Sequence, residues 1–198
     1  MRIAILTHAH SRNTNVVGAI HYANSWVNMG HKVRLITTPL SIFQVVFFGY
    51  RKTIRNKLRA SFGKGSVLDW RVEEIVPLSF LPFGAMPWIQ SIFGRNLNFI
   101  FVGLKLNDID LVILESPFFV DYISSYKGRV IYRATDNYSS FYNRTKLHHE
   151  EVAIHRAERV ISTSRPLSRH LEYTYGLNEI NSIVNGLNLS TFFCNENV

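Results

Sequence analysis

Residues 1–38, MRIAILTHAHSRNTNVVGAIHYANSWVNMGHKVRLITT, contain two short apolar runs separated by an amphipathic stretch. The first run, Arg2–Thr7, has the apolar continuity of a strand that is covered on both faces, and Lys32–Thr37 is the second strand candidate. Between them, apolar residues recur at the helical spacing of three or four: Val16, Ile20, Ala23 and Val27. Gly30 stands where the C-terminal cap of such a helix belongs. This stretch therefore predicts a β-α-β unit with parallel strands.

The same alternation continues along the rest of the chain. The further strand candidates are Trp70–Val76, Leu111–Glu115, Arg129–Arg133, Arg159–Thr163 and Ser182–Val184. Ser164 is placed to cap a helix that has Pro166 in its first turn and ends at Gly176. Seven strands with helices between them predict an α/β protein with a Rossmann-like, doubly wound and mainly parallel sheet.

The composition is that of one folded domain. The chain has 198 residues, 46% of them hydrophobic, which is enough to bury one core and excludes general disorder. The single cysteine, Cys194, allows no intramolecular disulfide, and no signal-peptide core follows Met1. No apolar passage is both long and non-polar enough to span a membrane. We therefore expect a reducing, cytoplasmic location.

The positive charge is concentrated in the first third of the chain. The whole sequence has 22 Lys or Arg and 14 Asp or Glu, yet no acid precedes Asp69. Arg51–Gly65 holds six bases and follows the apolar run Ile42–Phe48, a pattern typical of an element that lies on an anionic membrane. The predicted membrane contacts are Phe47, Phe48, Arg51, Lys52, Arg55, Lys57 and Arg59. The alternatives are a solvated basic helix and a nucleic-acid site, which no recognisable motif supports.

Two histidines follow the first strand, at the edge where open α/β sheets bind ligands. His8 and His10 stand where a dinucleotide site would have G-x-G-x-x-G, so the sequence predicts no nicotinamide or flavin cofactor. No third ligand has a suitable spacing, so no metal site is predicted either. We expect His8 and His10 to contact a ligand in the cleft or to act as a base.

The second candidate site follows the strand Arg129–Arg133. Asp136 comes directly after this strand, among the aromatic residues Tyr132 and Tyr138 and beside Asn137. A carboxylate at this position can accept a proton from a hydroxyl nucleophile. The alternative is that Asp136 or Ser139 caps a helix running toward Ala157. Glu115, at the end of another strand, either faces the cleft or caps the next element of the chain.

Three passages resemble GT-B glycosyltransferases. Ile131–Ser139 (IYRATDNYS) is similar to the passage after a central strand in the membrane-associated glucuronosyltransferase of xanthan-type exopolysaccharide synthesis. Arg156–Leu167 (RAERVISTSRPL) resembles the passage "helix, A-D-x-V-I-x-x-S, helix" of related family-4-like enzymes. Val184–Phe193 (VNGLNLSTFF) resembles the N-G-V-D-x-x-x-F signature that closes the N-terminal domain in this family. The chain is thus similar to the N-terminal, acceptor-binding half of a GT-B enzyme.

This resemblance implies a function and a set of partners. Asp136 would be the general base of an inverting sugar transfer. The acceptor contacts that we predict at the same sheet edge are His8, His10, Tyr132, Asn137 and Tyr138. The donor would be a nucleotide sugar and the acceptor a lipid-linked sugar or polysaccharide on an anionic membrane, with no nucleic acid and no cofactor.

The same resemblance implies a domain organisation. Residues 1–184 would form the acceptor-binding domain, with a membrane-facing insertion over about 39–106. Residues 185–198 would begin a linker to a donor-binding domain that lies outside the chain. The chain would then be a fragment, one half of a split enzyme, or an inactive remnant that acts as a peripheral membrane module.

Overall fold

The structure is a computed structural model that describes residues 1–12, 18–48, 51–62, 67–79, 106–141 and 146–183. The predicted linker 185–198 and residues 80–105 of the predicted insertion lie outside these ranges. The strands are β1 (Arg2–Thr7), β2 (Lys32–Thr37), β3 (Leu40–Ser41), β4 (Glu73–Ile75), β5 (Leu78–Ser79), β6 (Leu111–Leu114), β7 (Arg129–Ala134), β8 (Arg159–Ser162) and β9 (Asn181–Ser182). The helices are α1 (Gly18–Asn28), α2 (Ile42–Phe48), α3 (Lys52–Phe62), α4 (Tyr138–Phe141), α5 (His148–Arg156) and α6 (Arg165–Tyr175), and a 3-10 helix spans Pro117–Ile123.

Seven of the strands form one parallel sheet in the order β4-β2-β1-β6-β7-β8-β9. The chain starts in the middle of this sheet at β1, winds outward to β4, returns to β6 on the other side of β1, and winds outward again. The predicted doubly wound α/β fold is thereby confirmed. The winding direction reverses between β1 and β6, and ligands of such sheets bind at the carboxyl ends of the strands near this reversal.

Helices cover the two faces of the sheet and create two cores. On one face, α1 packs its buried side chains Ala19, Ile20, Ala23 and Val27 against β1 and β2. On the other face, the 3-10 helix, α5 and α6 pack against a larger core that contains Leu114, Phe119 and Tyr132. Because both faces of the central strands are covered, β6 (LVIL) and residues 3–6 of β1 are apolar without interruption.

The ends of the helices follow the sequence signals closely. Gly30 has a positive φ of 85° just after α1, as a C-terminal cap requires. The side chain of Ser164 accepts a hydrogen bond from the backbone N–H of Leu167, and α6 ends at Gly176 with a φ of 67°. The predicted cap, first-turn proline and terminal glycine of this helix are therefore confirmed.

Two predictions of local structure are wrong at the level of single elements. The strand predicted from Trp70 begins only at Glu73, because Asp69 accepts backbone hydrogen bonds from Arg71 and Val72 and holds them in a turn. The helix predicted to run from Asp136 or Ser139 toward Ala157 is divided into α4 and α5. Leu147 precedes α5 in an extended conformation, and its N–H donates to the hydroxyl of Tyr175 over 3.1 Å.

Candidate active site

Three loops meet where the winding of the sheet reverses. They follow β1 at His8, β6 at Glu115 and β7 at Thr135, and their strands are direct neighbours in the sheet. The pairing of β1 with β6 extends one residue beyond the end of β6, because the N–H of Glu115 donates to the carbonyl of Leu6 over 2.9 Å. Side chains from these three loops therefore line the edge at which a doubly wound sheet binds ligands.

Asp136 lies half-buried at the carboxyl end of β7. Its Oδ2 is 2.9 Å from the hydroxyl of Thr135, and this is the only hydrogen bond to its carboxylate among the described residues. The hydroxyl of Thr135 has only one proton to donate. Because a carboxylate is a stronger acceptor than a neutral oxygen, we assign this proton to the bond with Asp136. The carboxylate is thus oriented by its neighbour, and its Oδ1 accepts no hydrogen bond from the described residues.

The capping role that was the alternative for Asp136 belongs to Asn137. The Oδ1 of Asn137 accepts hydrogen bonds from the N–H of Ser140 over 3.1 Å and from the hydroxyl of Ser139 over 2.9 Å. Asp136 contributes only its main-chain carbonyl, which accepts from the N–H of Tyr138. Asn137 was predicted to contact the acceptor, and the structure uses its side-chain oxygen to begin α4.

Glu115 and Arg133 form a buried ion pair beneath these loops. The Nη1 of Arg133 is 2.7 Å from the Oε1 of Glu115, and the two side chains are 5% and 4% exposed. The guanidinium also lies over the ring of Tyr22 from α1, 4.8 Å from its centroid. Glu115 neither faces the cleft nor caps the 3-10 helix, because its carboxylate is paired with Arg133. The pair fixes the ends of β6 and β7 relative to each other.

Tyr138 is buried instead of being presented to the cleft. Its hydroxyl donates to the main-chain carbonyl of Glu115 over 3.0 Å, and its ring makes an edge contact with Phe118. Burial raises the pKa of the Tyr138 hydroxyl to about 12. Tyr138 thus anchors the loop that carries Asp136, and its hydroxyl, which was predicted to contact an acceptor, is bonded within the protein instead.

Tyr132 was predicted to contact the acceptor and lies instead in the larger core. Its side chain is completely buried, and its hydroxyl donates to Glu150 on α5 over 2.7 Å. The second oxygen of Glu150 accepts from Tyr175 over 2.9 Å. Successive side chains of a strand point to opposite faces of the sheet, so Tyr132 and Arg133 face different cores. The prediction for Tyr132 is corrected on this ground.

The two histidines after β1 have different environments. His8 is exposed, whereas His10 is 7% exposed and its Nδ1 accepts from the N–H of Arg12 over 3.2 Å. Burial and the nearby charge of Lys57 lower the pKa of His10 to about 4, so this imidazole is neutral at pH 7. The next residue, Ser11, binds the carboxylate of Glu74 through its N–H over 2.7 Å.

The basic helix α3 divides its charges between two environments. Lys52, Arg55 and Arg59 are exposed, as is Arg51 just before the helix. Lys57 instead points inward, and its ammonium donates to the hydroxyl of Thr38 and to the carbonyl of Pro39. The prediction that Lys57 contacts a membrane surface is therefore corrected, because this ammonium is held against the loop after β2.

The apolar part of the predicted membrane surface is represented by α2. Ile42, Val46 and Phe47 are 48%, 68% and 58% exposed on this helix, while the side chain of Phe48 lies outside the described part of the structure. In the described ranges, no helix is both long and apolar enough to cross a membrane.

Histidines, cysteines and carboxylates do not assemble into a metal site in the described residues. No group of three such side chains comes together there. His149 on α5 lies 3.4 Å from the carboxylate of Asp121, which makes it a surface contact of the 3-10 helix.

The fold is similar to those of known glycosyltransferases, although the sequence is not. No protein-family model matches the sequence, and no curated protein is similar to it. A glycosyltransferase from Rickettsia africae shares 15% identity with a TM-score of 0.51, and the match covers 97% of this chain and 45% of that enzyme. The chain thus has the fold of one Rossmann-like half of a GT-B glycosyltransferase and spans less than half the length of this structural relative.

Two further structures give weaker similarity. One is an alpha-glucosyltransferase in complex with UDP-glucose and DNA containing an abasic site, with 13% identity, a TM-score of 0.49, and coverage of 96% of this chain and 44% of that one. The other is a UGT protein of Arabidopsis thaliana complexed with UDP, with 10% identity, a TM-score of 0.44, and coverage of 94% and 48%.

Proposed function

We propose that this chain is the acceptor-binding half of a glycosyltransferase, which transfers a sugar from a nucleotide-sugar donor to a hydroxyl of a lipid-linked or polysaccharide acceptor. The observation that carries this proposal is the position of Asp136. Its carboxylate lies at the carboxyl end of β7, near the reversal of the sheet, and accepts one hydrogen bond from Thr135. The fold of a GT-B half supplies the context in which a carboxylate at this edge meets an acceptor.

In the proposed reaction, Asp136 accepts the proton of the acceptor hydroxyl while the hydroxyl oxygen attacks the anomeric carbon of the donor sugar. A new C–O bond forms, the bond between that carbon and the diphosphate breaks, and the nucleoside diphosphate leaves with the electron pair. Attack from the face opposite the leaving group inverts the configuration of the sugar. This stereochemistry follows from the resemblance to the inverting glucuronosyltransferase.

The donor site would be supplied by a second domain. The chain corresponds to 45% of the Rickettsia enzyme, and the resemblance to family-4-like enzymes assigns nucleotide-sugar binding to the half that is not represented here. We propose a hexosyl or glucuronosyl donor, with the second domain in the same polypeptide or in a separate one.

The acceptor would be reached at the inner face of the cell membrane. The exposed apolar residues of α2 and the exposed bases of α3 support this location, because they combine an apolar surface with cations that attract anionic lipid. The product would then be a cell-envelope lipid intermediate or an exopolysaccharide.

The proposal is tested by a transfer assay with the chain and a donor-binding half. Nucleotide sugars and lipid-linked acceptors are supplied together, and the anomeric configuration of the product is determined. Asp136→Asn should lower turnover by about 10²–10⁴-fold, the usual contribution of a general base. Asp110→Asn is the matched control, because Asp110 is an exposed partner of Arg2 at the opposite edge of the sheet. A folded Asp136→Asn variant with less than threefold loss removes this residue from the chemistry.

A second candidate function is a peripheral membrane module without catalytic activity. The same exposed residues of α2 and α3 favour it, and it needs no donor-binding half. Binding of the chain to anionic vesicles, together with an absence of transfer under every donor and acceptor combination, would support this function in place of the first.

A further inference from the structure

Lys57 differs from the other bases of α3 in the direction of its side chain. Lys52, Arg55 and Arg59 are exposed, whereas the Nζ of Lys57 donates to the hydroxyl of Thr38 and, over 3.1 Å, to the carbonyl of Pro39. An ammonium has three protons to donate. Two of them have acceptors here, and the third has none among the described residues.

No carboxylate of the described residues neutralises this ammonium. The sequence has no acid before Asp69, and 13 of its 14 acids lie in the described ranges, with Glu196 outside them. None of the 13 forms an ion pair with Lys57, and its pKa is lowered to about 8 by burial. Buried cations are normally paired, because removing a charge from water is costly. Among the described residues, the partly buried ammonium of Lys57 thus has neutral acceptors and no anionic partner.

The neighbouring His10 adds a neutral donor to this cation. Its Nδ1 accepts from the N–H of Arg12, which assigns the ring proton of the neutral form to Nε2. The loop is held just after His10 by two bonds: the N–H of Ser11 donates to Glu74, and the side chain of Asn56 on α3 donates to the carbonyl of Arg12. The helix that carries Lys57 therefore contacts the loop that carries His10, and the charge of Lys57 acts on this imidazole.

We propose that Lys57 and His10 form a binding site for a phosphate group at the carboxyl ends of β1 and β2. Lysine binds phosphate as a point charge, and a neutral imidazole N–H can donate to a phosphate oxygen without being charged itself. The site lies on the same edge of the sheet as Asp136, because His10 follows β1, Thr38 follows β2 and Asp136 follows β7.

The distance between the two positions suggests what the phosphate belongs to. β2 and β7 are separated by three strand spacings in the sheet, which corresponds to about 14 Å. A ligand that reaches both positions has its phosphate at one end of a sugar portion and its reactive hydroxyl at the other end. The assignment of the phosphate to a lipid-linked acceptor rests on the proposed function, whereas phosphate binding at Lys57 does not.

The first test measures binding of inorganic pyrophosphate to the chain by calorimetry at low ionic strength. Lys57→Met should weaken binding at least tenfold, whereas Lys52→Met, the same change at an exposed position of the same helix, should weaken it less than threefold. Equal effects of the two variants, or no binding to the parent chain at millimolar pyrophosphate, would overturn the proposal.

The second test uses the parent chain alone, so it does not depend on the folding of a variant. Lysines are acetylated at pH 8 with and without ligand, and mass spectrometry compares Lys57 with Lys52 as the internal reference. Pyrophosphate should slow the acetylation of Lys57 at least threefold and leave Lys52 unchanged. Equal rates with and without pyrophosphate contradict the site.

The same labelling identifies the source of the phosphate. Protection by a short prenyl diphosphate, and not by uridine diphosphate, supports a lipid-linked acceptor. Protection by uridine diphosphate alone overturns the assignment to the acceptor and transfers the site to the donor. Because neither experiment requires sugar transfer, protection of Lys57 without any transferase activity contradicts the proposed function and leaves the phosphate site standing.

Discussion

The hydroxyl of Tyr138 donates a 3.0 Å hydrogen bond to the main-chain carbonyl oxygen of Glu115. This bond joins the loop after β7 to the end of β6, and the hydroxyl of Thr135 lies 3.2 Å from the same carbonyl. The position of Asp136 is therefore determined from two strands. Its own backbone leaves β7, and Tyr138, two residues further along, is attached to the end of β6.

Removal of this hydroxyl should weaken the attachment without opening the core. In Tyr138→Phe the ring still fills its site against Phe118, while the carbonyl of Glu115 loses the hydrogen bond from this hydroxyl. We expect the free energy of unfolding to fall by about 1 kcal/mol, the net contribution of one hydrogen bond, as measured by urea denaturation. An unchanged free energy would mean that the bond does not stabilise the loop.

Loss of Arg133 should be far more costly than loss of an exposed arginine on the same strand. Arg133→Met leaves the buried carboxylate of Glu115 without its cation, and we expect a loss of about 3–5 kcal/mol in chemical denaturation. Arg129→Met is the matched control. Arg129 pairs with Glu158 at the surface, where an ion pair contributes about 1 kcal/mol or less.

A double variant separates the cost of a stranded charge from the value of the pair. In Glu115→Leu with Arg133→Met, no buried charge remains, so most of the stability lost in Arg133→Met should return. If the double variant is as unstable as Arg133→Met, the unpaired carboxylate of Glu115 is not the cause of the lost stability. The ion pair itself would then stabilise the fold.

The buried carboxyl of Glu150 predicts a pH-dependent stability. Burial raises its pKa above the usual value of 4.5, against the opposing effect of hydrogen bonds from Tyr132 and Tyr175. Between 4.5 and the higher folded pKa, the native chain binds more protons than the unfolded chain. By linkage, the free energy of unfolding falls as the pH rises through this interval.

Glu150→Gln should remove this dependence. We expect the parent chain to lose stability relative to Glu150→Gln as the pH rises above 4.5, in urea denaturation at a series of pH values. Glu151→Gln, one residue along the same helix and less buried, serves as the control and should leave the profile of the parent unchanged. A constant difference between parent and Glu150→Gln across this range contradicts the assignment.

The exposed bases around α3 predict binding to anionic vesicles. Each contributes about 1 kcal/mol near such a surface, so replacement of Arg51, Lys52, Arg55 and Arg59 by Gln should lower the vesicle affinity about 10³-fold at low salt. A matched set of four exposed bases elsewhere, Lys127, Arg159, Arg165 and Arg169, should have a much smaller effect in co-sedimentation. Similar losses in both sets would indicate attraction through net charge alone.

The sequence predicted the layered architecture because its signals are local. The apolar runs of β1 and β2, and the cap and terminal glycine of α6, act over a few residues and do not depend on the rest of the chain. Even the pair of Glu115 and Arg133 was accessible, since each stands at the end of a predicted five-residue strand. Aligning those two strands by their ends places the two residues side by side.

The orientation of individual side chains was less accessible. Lys57 belongs to a run of bases whose sequence predicts that all of them are exposed. The packing of α3 against the loop after β2 turns the side chain of Lys57 inward, and the sequence has no local signal for this packing. Asp136 and Asn137 are both common capping residues, so composition could not decide which one begins α4. The aromatic neighbours of Tyr132 in the sequence favoured a place in the cleft. Side chains alternate between the two faces of a strand, and this alternation places Tyr132 in the larger core.

The wholly parallel arrangement of the sheet has a consequence for folding kinetics. No hairpin joins neighbouring strands in the described part of the chain, and the central pairing of Ile3 with Leu111 brings together residues that are 111 − 3 = 108 positions apart. Closing so long a loop lowers the chain entropy before the contacts between the strands can offset that cost. Topologies of this kind therefore fold slowly. We therefore expect β1 and β6 to associate late, so that in stopped-flow refolding the environment of the Glu115 loop matures after the β1–β2 half has formed.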